Sequence, residues 1–297
     1  MAAETPGETA STAGNVAVLT VVAMLAFAAN SLLCRVALGR ELIDAATFAT
    51  VRIIAGALTL GLIVLPRWRN RGRSAPDWWA AAMLFVYVAG FSFAYVTLGA
   101  GTGALILFSA VQLTMFVVAL RGGEHFPLPS WLGLAIAVAG LVYLVSPGLS
   151  APDPLGAVLM ALAGIAWGVY SLRGRGAADP LSSTANNFIC VVPMVIVLIP
   201  VFVGDIRVSP TGVALAVTSG AITSGLGYVA WYAALRGLSG TRAATVQLSV
   251  PVIAAIGGVL LLAEPITLRL LVASAATLGG VWIVLIQRSR AAPQAAT

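Results

Sequence analysis

The chain has 297 residues, of which 60% are hydrophobic and only 9% charged, and its mean hydropathy is +1.01. Water-soluble globular chains carry about 25% charged residues, so this composition excludes one and points to a chain embedded in lipid. The net charge of +6 does not make a nucleic-acid surface, because the arginines sit in short gaps between apolar runs, where the positive-inside rule puts them.

In chain order, residues 1–14 are small and polar, with Glu4 and Glu8 and no basic stretch. They read as an unstructured cytoplasmic tail rather than a signal peptide. Ten apolar stretches follow, at 16–36, 44–65, 78–98, 101–120, 130–146, 155–173, 182–203, 211–235, 242–262 and 267–287. A bilayer core takes about 20 residues per helix. The gaps hold breakers: Pro66 with an arginine cluster, Pro127 and Pro129, Pro147-Gly148, Pro152 and Pro154, Pro180, Pro210 and Pro265. Barrel strands alternate in polarity over about ten residues, and these runs do not. Backbone amides in lipid must be paired within the protein, so long apolar runs are helical. Pro251 and Pro193 fall inside the ninth and seventh runs, where each removes one helix hydrogen bond.

The chain echoes itself at a spacing of 140 residues. Phe27 and Arg35 recur as Trp167 and Arg175, and Leu98, Ser109, Glu124 and Gly140 recur as Leu238, Ser249, Glu264 and Gly280. The expected architecture is all-α integral membrane, with ten transmembrane helices in two inverted five-helix repeats at 15–148 and 149–288, and a tail at 289–297. Five is odd, so the second repeat enters the membrane from the opposite side. With both termini cytoplasmic, eleven arginines fall in inside gaps (Arg67, Arg69, Arg71, Arg73, Arg121, Arg173, Arg175, Arg236, Arg242, Arg288, Arg290). Four fall outside (Arg35, Arg40, Arg207, Arg269), and Arg52 lies within the second span. That bias sets the orientation.

The first repeat reads Phe27-Ala28-Ala29-Asn30 followed by Arg35, and the second reads Trp167-Gly168-Val169-Tyr170 followed by Arg175. Ala49-Thr50-Val51-Arg52 opens the second span. Gly123-Glu124 and Ala263-Glu264 sit at the last helix pair of each half, and Ala234-Leu235 through Ser249-Val250-Pro251-Val252 runs into the ninth. In this order and spacing the chain resembles the drug/metabolite transporter superfamily and, within it, the EamA family, over residues 16–287. The resemblance implies ten helices in a five-plus-five inverted arrangement, cytoplasmic termini and export of small metabolites. The first repeat departs from the pattern at Ala28, where Gly is usual, and at Val111, where Pro is frequent, so the fourth and ninth helices are expected to differ in bend.

None of the ten acidic residues falls near the middle of a span. Proton-coupled carriers often use a buried carboxylate, so the expectation is a facilitator, or coupling through a site the sequence does not advertise. There is no HExxH, no paired aspartates and one histidine, His125, in a loop; Cys34 and Cys190 show no metal-ligand spacing. Neither an enzyme nor a cofactor is expected. Glu124 and Glu264 read either as carboxylates favouring the start of the following helix or as gate residues. Arg52 reads as an orientation anchor, a partner for Asp44, or a counter-ion for an anionic substrate. Arg35 and Arg175 read as interfacial anchors.

The candidate solute-binding residues are the amides Asn30, Gln112 and Gln247, and the aromatics Tyr95, Trp167, Tyr170, Tyr228 and Trp231. A mid-membrane amide needs a partner, which a crevice or a neighbouring helix supplies. The amides stand in the first, fourth and ninth spans, which line the central cavity in proteins of this resemblance. The expected function is export of a small organic solute, an amino acid being one candidate, by alternating access in the plasma membrane. The alternative is a non-transporting membrane scaffold or sensor. The expected partners are the solute and the bilayer, with no nucleic acid; the sequence leaves the oligomeric state open.

Overall fold

The computed structural model describes residues 6–73, 75–174, 176–201 and 206–291. Arg175, Glu4, Asp205 and the tail beyond Ala291 lie outside the described residues. The helices are α1 (Pro6–Gly39), α2 (Ala45–Arg71), α3 (Trp78–Ala94), α4 (Ala100–Arg121), α5 (Leu128–Val145), α6 (Pro154–Gly174), α7 (Pro180–Val201), α8 (Pro210–Leu235), α9 (Gly240–Leu262) and α10 (Leu268–Ala291). Among the described residues, nine helices are long and apolar enough to cross a bilayer, and α3 is a shorter apolar helix. The only extended pairing among them is one bridge, Ile43 to Val208.

The loop carboxylates and hydroxyls start the helices. Asp44, Asp77, Asp179, Ser209 and Ser239 accept from the N–H groups of Thr47, Ala80, Ser182, Gly212 and Arg242. Each thereby satisfies one of the donors a helix start leaves open. Two boundaries differ from expectation. The first helix reaches back to Pro6, through most of the segment expected to be an unstructured tail. Pro66 does not break α2: the ring forfeits one bond at an exposed position, and the helix runs on to Gly72, whose positive φ of 76° ends it. α4 is continuous, whereas α9 is interrupted at Leu248, just before Pro251.

The helices pack as α5 on α10, α2 on α7, α4 on α9, α3 on α6, α1 on α8, α4 on α6, α1 on α9, α2 on α8 and α3 on α7. Small residues let backbones approach. Gly133 on α5 and Gly280 on α10 face each other so closely that a side chain on either would meet the partner's carbonyl. Gly220 on α8 abuts the carbonyl of Arg52 in the same way. Leu58, Leu62, Leu132 and Leu260 lie exposed on the outer faces, as lipid-facing residues of a membrane helix would.

Candidate functional site: a central chamber closed at one end

A chamber of about 780 Å³ lies among α2, α4, α6, α7, α8 and α9 and opens at the end carrying Arg67, Asp179 and Arg236. Beside it lies a narrow pocket of about 30 Å³ that shares Trp167, Tyr228 and Gln247 with it and reaches Asn30, Ser31 and Arg52. Two departures from regular helix shape this region. Residues Ser219–Leu226 of α8 form a π-helical segment, a widened turn frequent at functional sites, and it delivers Thr223 and Ser224 to the narrow pocket. In α9, Pro251 has no N–H to offer the carbonyl of Gln247, so the helix breaks beside the residue whose side chain lines both cavities.

Aromatic rings form a band across the chamber. Trp167 packs against Tyr87 at 4.7 Å between centroids, Tyr170 at 5.5 Å and Tyr228 at 5.5 Å. Tyr228 stacks on Tyr232 at 6.1 Å, and Phe27 meets Tyr228 and Trp231 edge-on at 6.1 and 5.9 Å. The hydroxyls are held: Tyr170 donates to Thr184 at 3.3 Å, and Thr184 and Tyr232 share a bond of 2.8 Å. A wall of fixed rings with a few oriented polar groups is the usual make-up of a small-molecule site.

Arg52 is 2% exposed, neither at an interface nor bonded to Asp44, which instead caps α2 and accepts from the Arg207 N–H. Its Nη2 donates to the Tyr87 hydroxyl at 3.1 Å and its Nε to Ser224 Oγ at 3.4 Å. The guanidinium lies 5.5 Å from the Tyr87 ring centre and 4.9 Å from that of Phe91.

The other end is sealed. Glu264 accepts from Arg35 Nε at 3.1 Å and from the Ala100 N–H at 2.8 Å, and Arg35 also donates to the carbonyls of Tyr95 and Val96. Arg35 is thus a cross-bundle tie rather than a lone anchor, and Glu264 serves the start of α4, not of the helix that follows it. The Ile43–Val208 bridge and the Arg207–Glu41 pair tie the loops at that same end. At the open end Arg173 pairs with Asp77 at 2.5 Å and Arg67 with Asp179 at 3.4 Å. Partial burial opposes ionisation of Asp77, but the bonds from Arg173 and the Ala80 N–H outweigh it and hold its carboxyl below the ordinary value. At Asp179 burial is likewise outweighed, here by the Ser182 hydroxyl and N–H and by Arg67.

Of the residues expected to meet a solute, Trp167, Tyr170, Tyr228, Trp231 and Gln247 line the chamber. Asn30 lines the narrow pocket, its Oδ1 accepting from Ser219 at 2.6 Å and Thr223 at 3.3 Å. Gln112 faces a separate side cavity of about 510 Å³ together with Glu124. Tyr95 lines neither the chamber nor the pocket; it is wholly buried, donating to the Ala100 carbonyl at 3.3 Å. Sequence reasoning passed over Tyr87, Phe91 and Ser224, and did not place Arg52 with them.

Residues 154–286 match the EamA-like transporter family. The chain is 50% identical over 279 residues to an uncharacterized protein of Pseudomonas aeruginosa, across 94% of this chain and 97% of that one. An uncharacterized transporter of Archaeoglobus fulgidus is 25% identical over 250 residues, across 79% of this chain and 86% of its own. A protein of known crystal structure, 16% identical, shares the fold with a TM-score of 0.66 over 93% of this chain and 99% of that one.

Proposed function

We propose that this chain, a multi-pass membrane protein that belongs to the EamA-like transporter family, exports a small organic solute through its central chamber by alternating access. The observation that carries this reading is the chamber itself: about 780 Å³, walled by aromatic rings, open at one end and tied shut by Arg35 and Glu264 at the other. A carrier caught in one of its two states has this form.

The helix packing supports two inverted repeats of five. Adding or subtracting five from each helix number turns α3–α6 into α8–α1, α4–α6 into α9–α1 and α2–α8 into α7–α3, all of which are observed packings. The pairs α2–α7, α4–α9 and α5–α10 map onto themselves. Such a scaffold has two near-equivalent rocked states, one open to each side. The open end carries Arg67, Arg173 and Arg236, and the positive-inside rule assigns it to the cytoplasm of the cell membrane. Asp179 sits at the chamber mouth paired with Arg67, and among the described residues no carboxylate lines the chamber at greater depth. Transport is therefore facilitated rather than proton-driven.

The purified protein in liposomes tests this. Efflux of a panel of amino acids and small organic acids and amides from loaded vesicles should exceed that from protein-free vesicles, and a protonophore should leave it unchanged. Binding without flux would instead assign the chain to a sensor or scaffold.

A further inference from the structure

Away from its charged mouth the chamber lining is neutral, yet the narrow pocket beside it holds a cation. Arg52 is buried against the Tyr87 and Phe91 rings, and its Nη1, also buried, has no hydrogen-bond partner. The four ion pairs among the described residues are Arg35–Glu264, Arg67–Asp179, Arg173–Asp77 and Arg207–Glu41, so Arg52 has no carboxylate there. An arginine left unpaired in a low-dielectric interior is unfavourable unless something compensates it. Two ring faces and two neutral hydroxyls do so in part. They leave Nη1 without an acceptor, and a guanidinium N–H is well matched to a carboxylate oxygen.

Comparison of the two halves sharpens the point. Asp44 and Asp179 cap α2 and α7 in the same way, each receiving the N–H three residues on. Arg52 stands eight residues after Asp44, and eight residues after Asp179 stands Asn187, a neutral amide that donates to the Tyr170 hydroxyl at 3.5 Å. A packing role common to both halves would not call for a charge in one alone.

Cavity shape gives the size of the ligand group. The narrow pocket of about 30 Å³ has room for roughly two water-sized groups, the bulk of a carboxylate's two oxygens. It adjoins the wide aromatic chamber across their shared wall of Trp167, Tyr228 and Gln247. We infer that Arg52 is the subsite for the single negative charge of the transported solute, a small organic carboxylate whose apolar or aromatic body lies against Trp167 and Tyr228. The inference rests on the chamber being the solute passage. It names the substrate class: monoanions with an apolar body.

The test uses the full-length protein in detergent and three matched probe pairs: phenylacetate with phenylacetamide, benzoate with benzamide, and hexanoate with hexanamide. Affinities are measured by calorimetry for the wild type, Arg52→Gln and Arg52→Lys. The wild type should bind the acids at least about tenfold more tightly than the amides, since hydrogen bonds to a charged group are worth more than neutral ones. Arg52→Gln should erase that preference by weakening the acids more than the amides. Arg52→Lys, which keeps the charge and loses the fork, should keep a reduced preference and serves as the reading if Arg52→Gln does not fold. Equal binding of acids and amides by the wild type, no binding of any acid, or a preference that survives Arg52→Gln overturns the inference. The same pairs in liposomes separate it from the carrier reading. Flux of amides and acids alike, unchanged in Arg52→Gln, leaves the carrier and removes the subsite. Arg52-dependent binding without flux leaves the subsite and removes the carrier.

Discussion

Neutralising Glu264 should tip the carrier toward its other state. In the structure the Glu264 carboxylate collects the Arg35 guanidinium at 3.1 Å and the Ala100 N–H at 2.8 Å, with the two side chains only 24% and 19% exposed. Glu264→Gln retains an acceptor for Ala100 but loses the ion pair, replacing charge-assisted bonds by neutral ones. Bonds to charged groups are worth about 1.5–3 kcal/mol against about 1 for neutral ones, so after partial screening the sealed state loses about 1–2 kcal/mol. That corresponds to a shift of about 5–30-fold in the ratio of the two states. Gln247 reports it, because it lines both the chamber and the narrow pocket. With Cys34 and Cys190 replaced by Ala and Gln247 by Cys, a membrane-impermeant maleimide should label the otherwise wild-type chain through the end carrying Arg67. Glu264→Gln should raise labelling from the opposite end by about that 5–30-fold factor and lower it from the first. An unchanged ratio of the two rates, in protein that melts normally, would refute the claim that this ion pair holds the end shut.

Other perturbations follow from local geometry. Gly220→Ala places a methyl against the Arg52 carbonyl and should lower the melting temperature by the equivalent of about 1–3 kcal/mol, whereas Gly61→Ala, with open space around it, should leave it unchanged or raise it. Pro251→Ala restores an N–H for the Gln247 carbonyl and joins the two pieces of α9; amide exchange at 247–251 should slow, and so should solute flux. Asp77 and Asp179 carry lowered pKa values in the folded state, so the stability they lend is fully present above the ordinary carboxylate value and disappears as pH falls through the depressed one. Thermal melts should be flat above about pH 5 and decline below about pH 4, and Asp77→Asn with Asp179→Asn should flatten that decline.

Much of the fold was legible because lipid imposes a simple rule: apolar runs of span length become helices, and their ends fall where capping residues and glycines stand. Asp44, Asp77 and Asp179 could be recognised as loop residues from composition alone. Pro66 misled because one missing bond at an exposed position does not end a helix that keeps its other bonds. Pro251 marked a real break. The π segment of α8 leaves no trace in residue order, since a change from four-residue to five-residue hydrogen bonding alters no side chain. The site was harder to read. Tyr87 and Tyr95 are two turns apart on one helix face, and only the depth at which α3 meets α6 decides that Tyr87 reaches Trp167 while Tyr95 lies beneath the seal. Gln247 and Gln112 are both buried-span amides, yet α9 turns one toward the chamber and α4 turns the other toward the side cavity. Arg52 was visible as the one arginine within a span, but its partners come from α3 and α8, 35 and 172 residues away.

Counterflow is the most direct measurement of the central claim. Liposomes containing the protein are preloaded with unlabelled solute, diluted into a trace of the labelled compound, and followed over time. An alternating-access carrier predicts faster uptake of label into preloaded vesicles than into empty ones, with a transient overshoot. Uptake that is indifferent to the internal solute, or absent altogether, would contradict it.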